Sequence, residues 1–194
     1  MDLYKQPKKE IEFLHVITKW ICDIIIVVFI TLFIWNGFFT AVVMGGHSMS
    51  EPGKDGVGIA NGDSVLLDKV SYKLSKVKRY DVICFNYQED GKDIPIIKRV
   101  IGLPGETVCI KDGHIYIDGK VLEKDVVKDI IYSAGIASEE IKLSSNEYFV
   151  LGDNRNNSED SRNQKIGTVT KNQIVGKVWL ISEPVEHIGF ISSR

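Results

Sequence analysis

Cysteine is scarce in this chain of 194 residues: the three thiols, Cys22, Cys84 and Cys109, show no C-x-x-C or metal-like spacing. An odd number cannot pair completely within one chain, so buried free thiols are the plain reading, with a Cys84–Cys109 disulfide left open. Neither sign of charge is in excess. The 24 Lys and Arg nearly balance the 26 Asp and Glu and are scattered, so no basic face recommends nucleic acid as a partner. Repeats and low-complexity tracts are absent. The Gly-rich stretch Gly53 to Gly62 lacks the Lys-Ser/Thr ending that a P-loop needs. What remains is a chain, 44% hydrophobic, long enough for one globular domain and a modest additional element.

That additional element is the run from Trp20 to Met44, which carries one charge, Asp23, near its start. At about 1.5 Å of rise per residue, roughly 20 helical residues cross the ~30 Å hydrocarbon layer of a bilayer. Asp23 falls in the first turn, where water is within reach and the helix dipole favours negative charge. A helix apolar on every side has little room inside a domain of the remaining length. No A-x-A-like cleavage pattern occurs between Phe38 and Ser50, so the run reads as an uncleaved anchor. Lys5, Lys8, Lys9 and Lys19 precede it, whereas Lys54 follows among Glu51, Asp55 and Asp63. The positive-inside rule then predicts a cytoplasmic segment over 1–19, a membrane anchor over 20–44 and an extracytoplasmic domain over 45–194.

Within 45–194, short β-type runs dominate: Val65 to Leu67, Asp81 to Tyr87, Ile94 to Ile101, Thr107 to Ile110, Ile115 to Ile117, Tyr148 to Leu151 and Ile174 to Ile181. Asp112-Gly113 and Asp118-Gly119 are two-residue hairpin signals and predict a three-strand meander. Between Leu122 and Asn146 the pattern loosens, and 123–146 reads as an inserted cap or loop. The domain is expected to be mostly β.

Chemistry concentrates in three segments. In IPIIKRVIGLPGE, strand alternation puts Ile94, Ile96, Lys98 and Val100 on one face, pinning a lysine among branched apolar neighbours. Burial disfavours an ammonium ion, and a neutral amine near the working pH is a general base. The alternative is a sheet-edge lysine whose head reaches water. The second segment, MGGHSMSEP, presents Ser48 among glycines. A G-x-S-x-G elbow would need glycine at position 50, which is Ser50, and His47 points away from its neighbour in an extended chain. A triad using His114 or His187 stays open. The third segment, GDNRNNSEDSR from Gly152 to Arg162, reads as an Asx-rich loop or as a buried polar network in which a hydroxyl orients the lysine. A calcium loop would place an oxygen ligand where Arg155 stands, so metal binding is not expected.

Taken in this order behind an N-terminal anchor, these segments resemble the boxes of bacterial type I signal peptidases, in their single-anchor Gram-positive form. Ser48-Met49 resembles the nucleophile box, RYDVI at 79–83 an R-G-D-[VI]-[VI] strand, KRVIGLPGE at 98–106 the base box, and GDNRNNSEDSR the final box. The resemblance implies a β-sheet or partial-barrel catalytic domain that cuts signal peptides from secretory preproteins after small residues of A-x-A type. It implies Ser48 as nucleophile, Lys98 as general base and Ser158 as the group orienting the lysine. Arg99, Asp153, Asp160 and Arg162 would support the site through ion pairs, and Met44, Met49 and Ile97 would line the substrate pocket. It also implies an oxyanion donor in the Ser48 backbone N–H, membrane lipid as surroundings, and neither cofactor nor metal. Gly46 departs from the Ser or Thr common two residues before the nucleophile, and SMSEPGKDGVGIANGD departs from S-M-x-P-T followed closely by G-D. These departures motivate one rival, a tethered β-domain that binds preproteins or assembly partners without cutting; a second, a serine-lysine autoprotease of the SOS-repressor type, shares the dyad logic, and the spanning segment argues against it.

Overall fold

The structure, a computed structural model, describes residues 7–50 and 58–191. It divides the chain into two compact units, Met1–Phe39 and Thr40–Arg194. The first unit is the helix α1 (Pro7–Phe38), within which Glu12–Phe33 is long and apolar enough to cross a membrane. Its side chains from Glu12 to Phe33 lie exposed on every side, an arrangement lipid tolerates and water does not. The apolar run expected to stay in one anchor through Met44 leaves the helix at Phe38. Phe39–Val43 is a strand instead, and Met44 is buried in the core of the second unit. The physical reason is local: Phe39, Thr40, Val42 and Val43 are aromatic or β-branched and favour extended backbone.

Beyond α1 the chain supplies β1 (Phe39–Val43), β2 (Ser64–Asp68), β3 (Val82–Glu89) and β4 (Lys92–Gly102) to a large, mostly antiparallel sheet. A smaller sheet follows, made of β5 (Thr107–Lys111), β6 (His114–Ile117), β7 (Lys120–Val121) and β8 (Ile141–Lys142). The chain then returns to the large sheet with β9 (Glu147–Leu151), β10 (Val169–Thr170), β11 (Ile174–Glu183) and β12 (Gly189–Phe190). The large sheet is ordered β1-β2-β11-β3-β4-β9-β10, with β12 beside β11, and the small one β7-β6-β5-β8. All seven runs read as strands are strands, and the three-strand meander forms. Asp112 and Asp118 sit at φ 50° and 49°, each followed by a glycine at φ 76°, as two-residue primed turns require. A third such turn, Asp90-Gly91, joins β3 to β4; the same dipeptide signal was present there.

Alternate residues of the two central strands feed separate cores. Val82, Cys84 and Ile97 join Met44, Met49, Val65 and Leu67 in one, while Ile83, Phe85 and Val100 join Val150 and Val169 in another. The segment 123–146 is not a loose cap. It contains a 3-10 turn (Gly135–Ser138) and β8, and it buries Ile131, Ala137 and Leu143 against Val108, Ile110 and Phe149 of the small-sheet core. Cys84 and Cys109 are buried free thiols, so the disulfide left open does not form. Burial pushes the Cys84 thiol up to about 12.

Candidate active site

Lys98 enters β4 opposite Ile83, and the alternation expected around it holds at Ile96 and Val100, which share the core of Ile83 and Phe85. Ile94 instead lies exposed near the hairpin tip. A register shift between Val100 and Gly102 marks where β4 meets β9. Only Arg99 onward pairs with β9, so the preceding residues of β4 keep one backbone edge unpaired among the described residues. Pro95, which has no N–H to donate, sits in that stretch, as proline in a sheet must. Lys98 is 4% exposed. Burial is the largest influence on its amine and lowers the pKa from 10.5 to about 8, against the opposing pull of Asp160, Glu159 and Asp153.

The turn after β1 brings Ser48 to that amine: Lys98 Nζ lies 2.7 Å from Ser48 Oγ and also donates to the Ile97 carbonyl at 3.1 Å. Two connections hold the turn. Gly46 N–H donates to Asn61 Oδ1 at 2.8 Å, and Gly62 N–H donates to the Met44 carbonyl at 2.9 Å. From the other side, Asn154 N–H donates to the Ser48 carbonyl at 3.0 Å and Asn154 Nδ2 to that of His47 at 3.3 Å. Gly46 has φ +81°, a conformation that side-chain-bearing residues rarely adopt. Gly152 admits no side chain, because a Cβ there would run into Ser158 Oγ and lie 2.5 Å from the Ser48 carbonyl oxygen.

The polar segment 152–162 packs behind this pair as a network of ionic contacts. Arg99 grips Asp153 with two bonds, Nε to Oδ1 at 2.7 Å and Nη2 to Oδ2 at 2.6 Å, and donates to the Tyr80 carbonyl at 2.9 Å. Asp160 takes two bonds from the Arg162 side chain at 2.8 Å, one from Arg162 N–H at 3.2 Å and one from Gly152 N–H at 3.1 Å. Arg155, 1% exposed, pairs with Asp125 of the 123–146 segment through both terminal nitrogens. Ser158 lines the same cleft as Lys98, but its buried hydroxyl has no hydrogen-bond partner among the described residues. Met44 and Ile97 line that cleft, of about 590 Å³, whereas Met49 does not. Met49 is fully buried in the first core, so it sits beneath the cleft and not at its surface. His47 lines the cleft, while His187 pairs with Asp63 at 3.2 Å. Asn61, Gly152, Asn154 and Arg155 carry site geometry that the sequence reading left unassigned; three of the four stood inside the polar segment already singled out. Among the described residues, no three His, Cys, Asp or Glu side chains gather to hold a metal.

A family model described as "Signal peptidase, peptidase S26" matches residues 17–182. The chain belongs to this signal peptidase family. Signal peptidase I S of Bacillus subtilis (strain 168) is 34% identical over 168 residues, 82% of this chain and 85% of its own length. Signal peptidase I of Bacillus amyloliquefaciens is 31% identical over 191 residues, 95% and 97% of the two chains. A solved signal peptidase I from Enterococcus faecalis V583 is 33% identical, covering 53% of this chain and 97% of its own at a TM-score of 0.43. The signal peptidase match contains Ser48, Lys98 and the whole 152–162 segment, and begins inside α1. This makes the chain a peptidase with a mostly β domain, whose N-terminal apolar helix fits a membrane-anchored protein; the non-catalytic reading is not favoured.

Proposed function

We propose that this signal peptidase family member releases secretory preproteins by cutting their signal peptides after small residues of A-x-A type, with Ser48 as nucleophile and Lys98 as general base. One observation carries the reading: the 2.7 Å approach of Lys98 Nζ to Ser48 Oγ, at an amine held near pKa 8 by burial. Above that pH the amine is neutral and takes the Ser48 proton as Oγ bonds to the scissile carbonyl carbon. The negative charge on the carbonyl oxygen faces the Ser48 backbone N–H, which donates to nothing else among the described residues. Collapse of the adduct breaks the C–N bond, and the Lys98 ammonium returns its proton to the leaving amine. Water, deprotonated by Lys98, then hydrolyses the Ser48 ester. Ser158 has a free hydroxyl in the same cleft, and it orients Lys98 once Ser48 is esterified. Arg99–Asp153 and Arg162–Asp160 keep the surrounding backbone fixed.

Small side chains are selected by lack of room. Met44 and Ile97 are almost fully buried in the cleft wall, and the unpaired edge of β4 offers main-chain groups to a substrate strand. Lys5, Lys8, Lys9 and Lys19, which precede the apolar run that starts at Trp20, favour an N-terminus in the cytoplasm and the Ser48 domain outside, with α1 in lipid. A processing assay on a preprotein with an A-x-A site tests this: wild type converts it, and Ser48→Ala and Lys98→Ala do not. Undiminished conversion by either variant would sink the assignment.

A further inference from the structure

A second cavity of about 330 Å³ opens beyond the catalytic cleft and shares Asn156, Ser158 and Glu159 with it. Its far wall comes from Tyr132, Ser133 and Gly135 of the 123–146 segment, with Tyr132 85% exposed. Asn156 ties that wall to the polar segment, donating to the Ile130 carbonyl at 2.9 Å and accepting from Tyr132 N–H at 2.9 Å. The cavity is therefore a fixed depression and not a gap under a loose loop.

Charges around it are unevenly compensated. Arg155 is taken by Asp125 and Arg162 by Asp160. Glu159, exposed on the rim, has no hydrogen bond or ion pair among the described residues. It is the charged side chain lining this cavity that lacks a partner; Lys165, which also makes no ion pair among the described residues, lines the cleft but not the cavity. Position follows from the chemistry proposed above, on which this inference rests. The acyl half of the substrate lies along β4 and the β1 end, between residues 43–46 and 94–97. The leaving half must depart past Lys98, which protonates its nitrogen; of the cleft wall that remains, which also includes Tyr87, Glu89, Lys165 and Ile166, the side of Ser158 and Glu159 is the one that continues into the second cavity.

We propose that this second cavity receives the first residues of the mature chain, and that Glu159 gives it a preference for a positively charged side chain at the second residue after the cleaved bond. Matched A-x-A substrates bearing Lys, Gln or Glu at the second residue after that bond measure it, using the full chain in detergent at low salt. Wild type should give a kcat/KM for Lys about threefold to fivefold above that for Glu, the range expected of one exposed ion pair, with the ratio shrinking at high salt. Glu159→Gln should bring the ratio to about one, and Glu159→Lys should invert it. The ratio, and not the overall rate, is the readout, since Glu159 also acts on the Lys98 amine. An equal ratio in wild type and both variants, with cleavage intact, would overturn this inference alone; failure of wild type to cut any of the three would overturn the catalytic reading with it.

Discussion

Lys98 shows how much a single residue gives up for its role. Its folded pKa of about 8 lies below the 10.5 of an exposed lysine, so between these values the unfolded chain holds more protons than the folded one. Stability therefore rises with pH across that window, and the penalty for charging a buried amine is fully present below about pH 8. Lys98→Met removes the charge at similar length and should be more stable than wild type at pH 7, by up to about 3 kcal/mol, with the gain fading towards pH 10.5. Thermal unfolding at pH 7 and pH 10 checks this, and a less stable variant at pH 7 would contradict the burial account. Gly152→Ala tests the nucleophile's seat. Its Cβ would displace Ser158 or the Ser48 carbonyl, and a shift of ~1 Å in a reacting group costs about 10²-fold in rate. Kinetics beside an unfolding curve separate this from simple destabilisation. At this scale the sequence was informative where a residue type is scarce for a physical reason: a lysine in a branched strand, or glycines around a serine. Tyr80 was not legible. It occupies φ +71° where the family resemblance has glycine, and its ring packs against the small-sheet core, offsetting the strain.

Strands and turns announced themselves because alternation and Asp-Gly pairs are local properties. The 123–146 segment did not, because Ile131, Ala137 and Leu143 are buried six residues apart, too sparsely to build an apolar run with a period of 2 or 3.6. Its attachment to the active-site segment is equally nonlocal: Asp125 reaches Arg155 across 30 positions. That contact makes a sharp prediction. Asp125→Asn leaves a guanidinium that is 1% exposed without its counter-charge, and should lose about 3–5 kcal/mol in urea unfolding. Replacing both partners with apolar residues should lose less, since no buried charge is then stranded. A loss of under ~1 kcal/mol for Asp125→Asn would mean that the segment is only loosely attached.

Across the whole molecule, the order of anchor, serine turn, lysine strand and polar segment was legible, and so was a mostly β domain. That Arg99 and Asp153 would make ion pairs was expected only through family resemblance, and their pairing with each other, 54 positions apart, was not legible. The boundary between anchor and domain was misplaced because apolar residues serve a lipid-facing helix and a buried strand equally well. A chain of residues 39–194 should keep the unfolding temperature of the full protein's domain and cease to float with lipid vesicles, while the full chain floats; a truncated chain that still floats would locate lipid binding outside α1. The most direct test of the central claim is the pH dependence of kcat/KM on a substrate with an A-x-A site. A base of pKa about 8 predicts a plateau above that pH and a tenfold fall per unit below it. A profile unchanged down to about pH 5 would contradict Lys98 as the base.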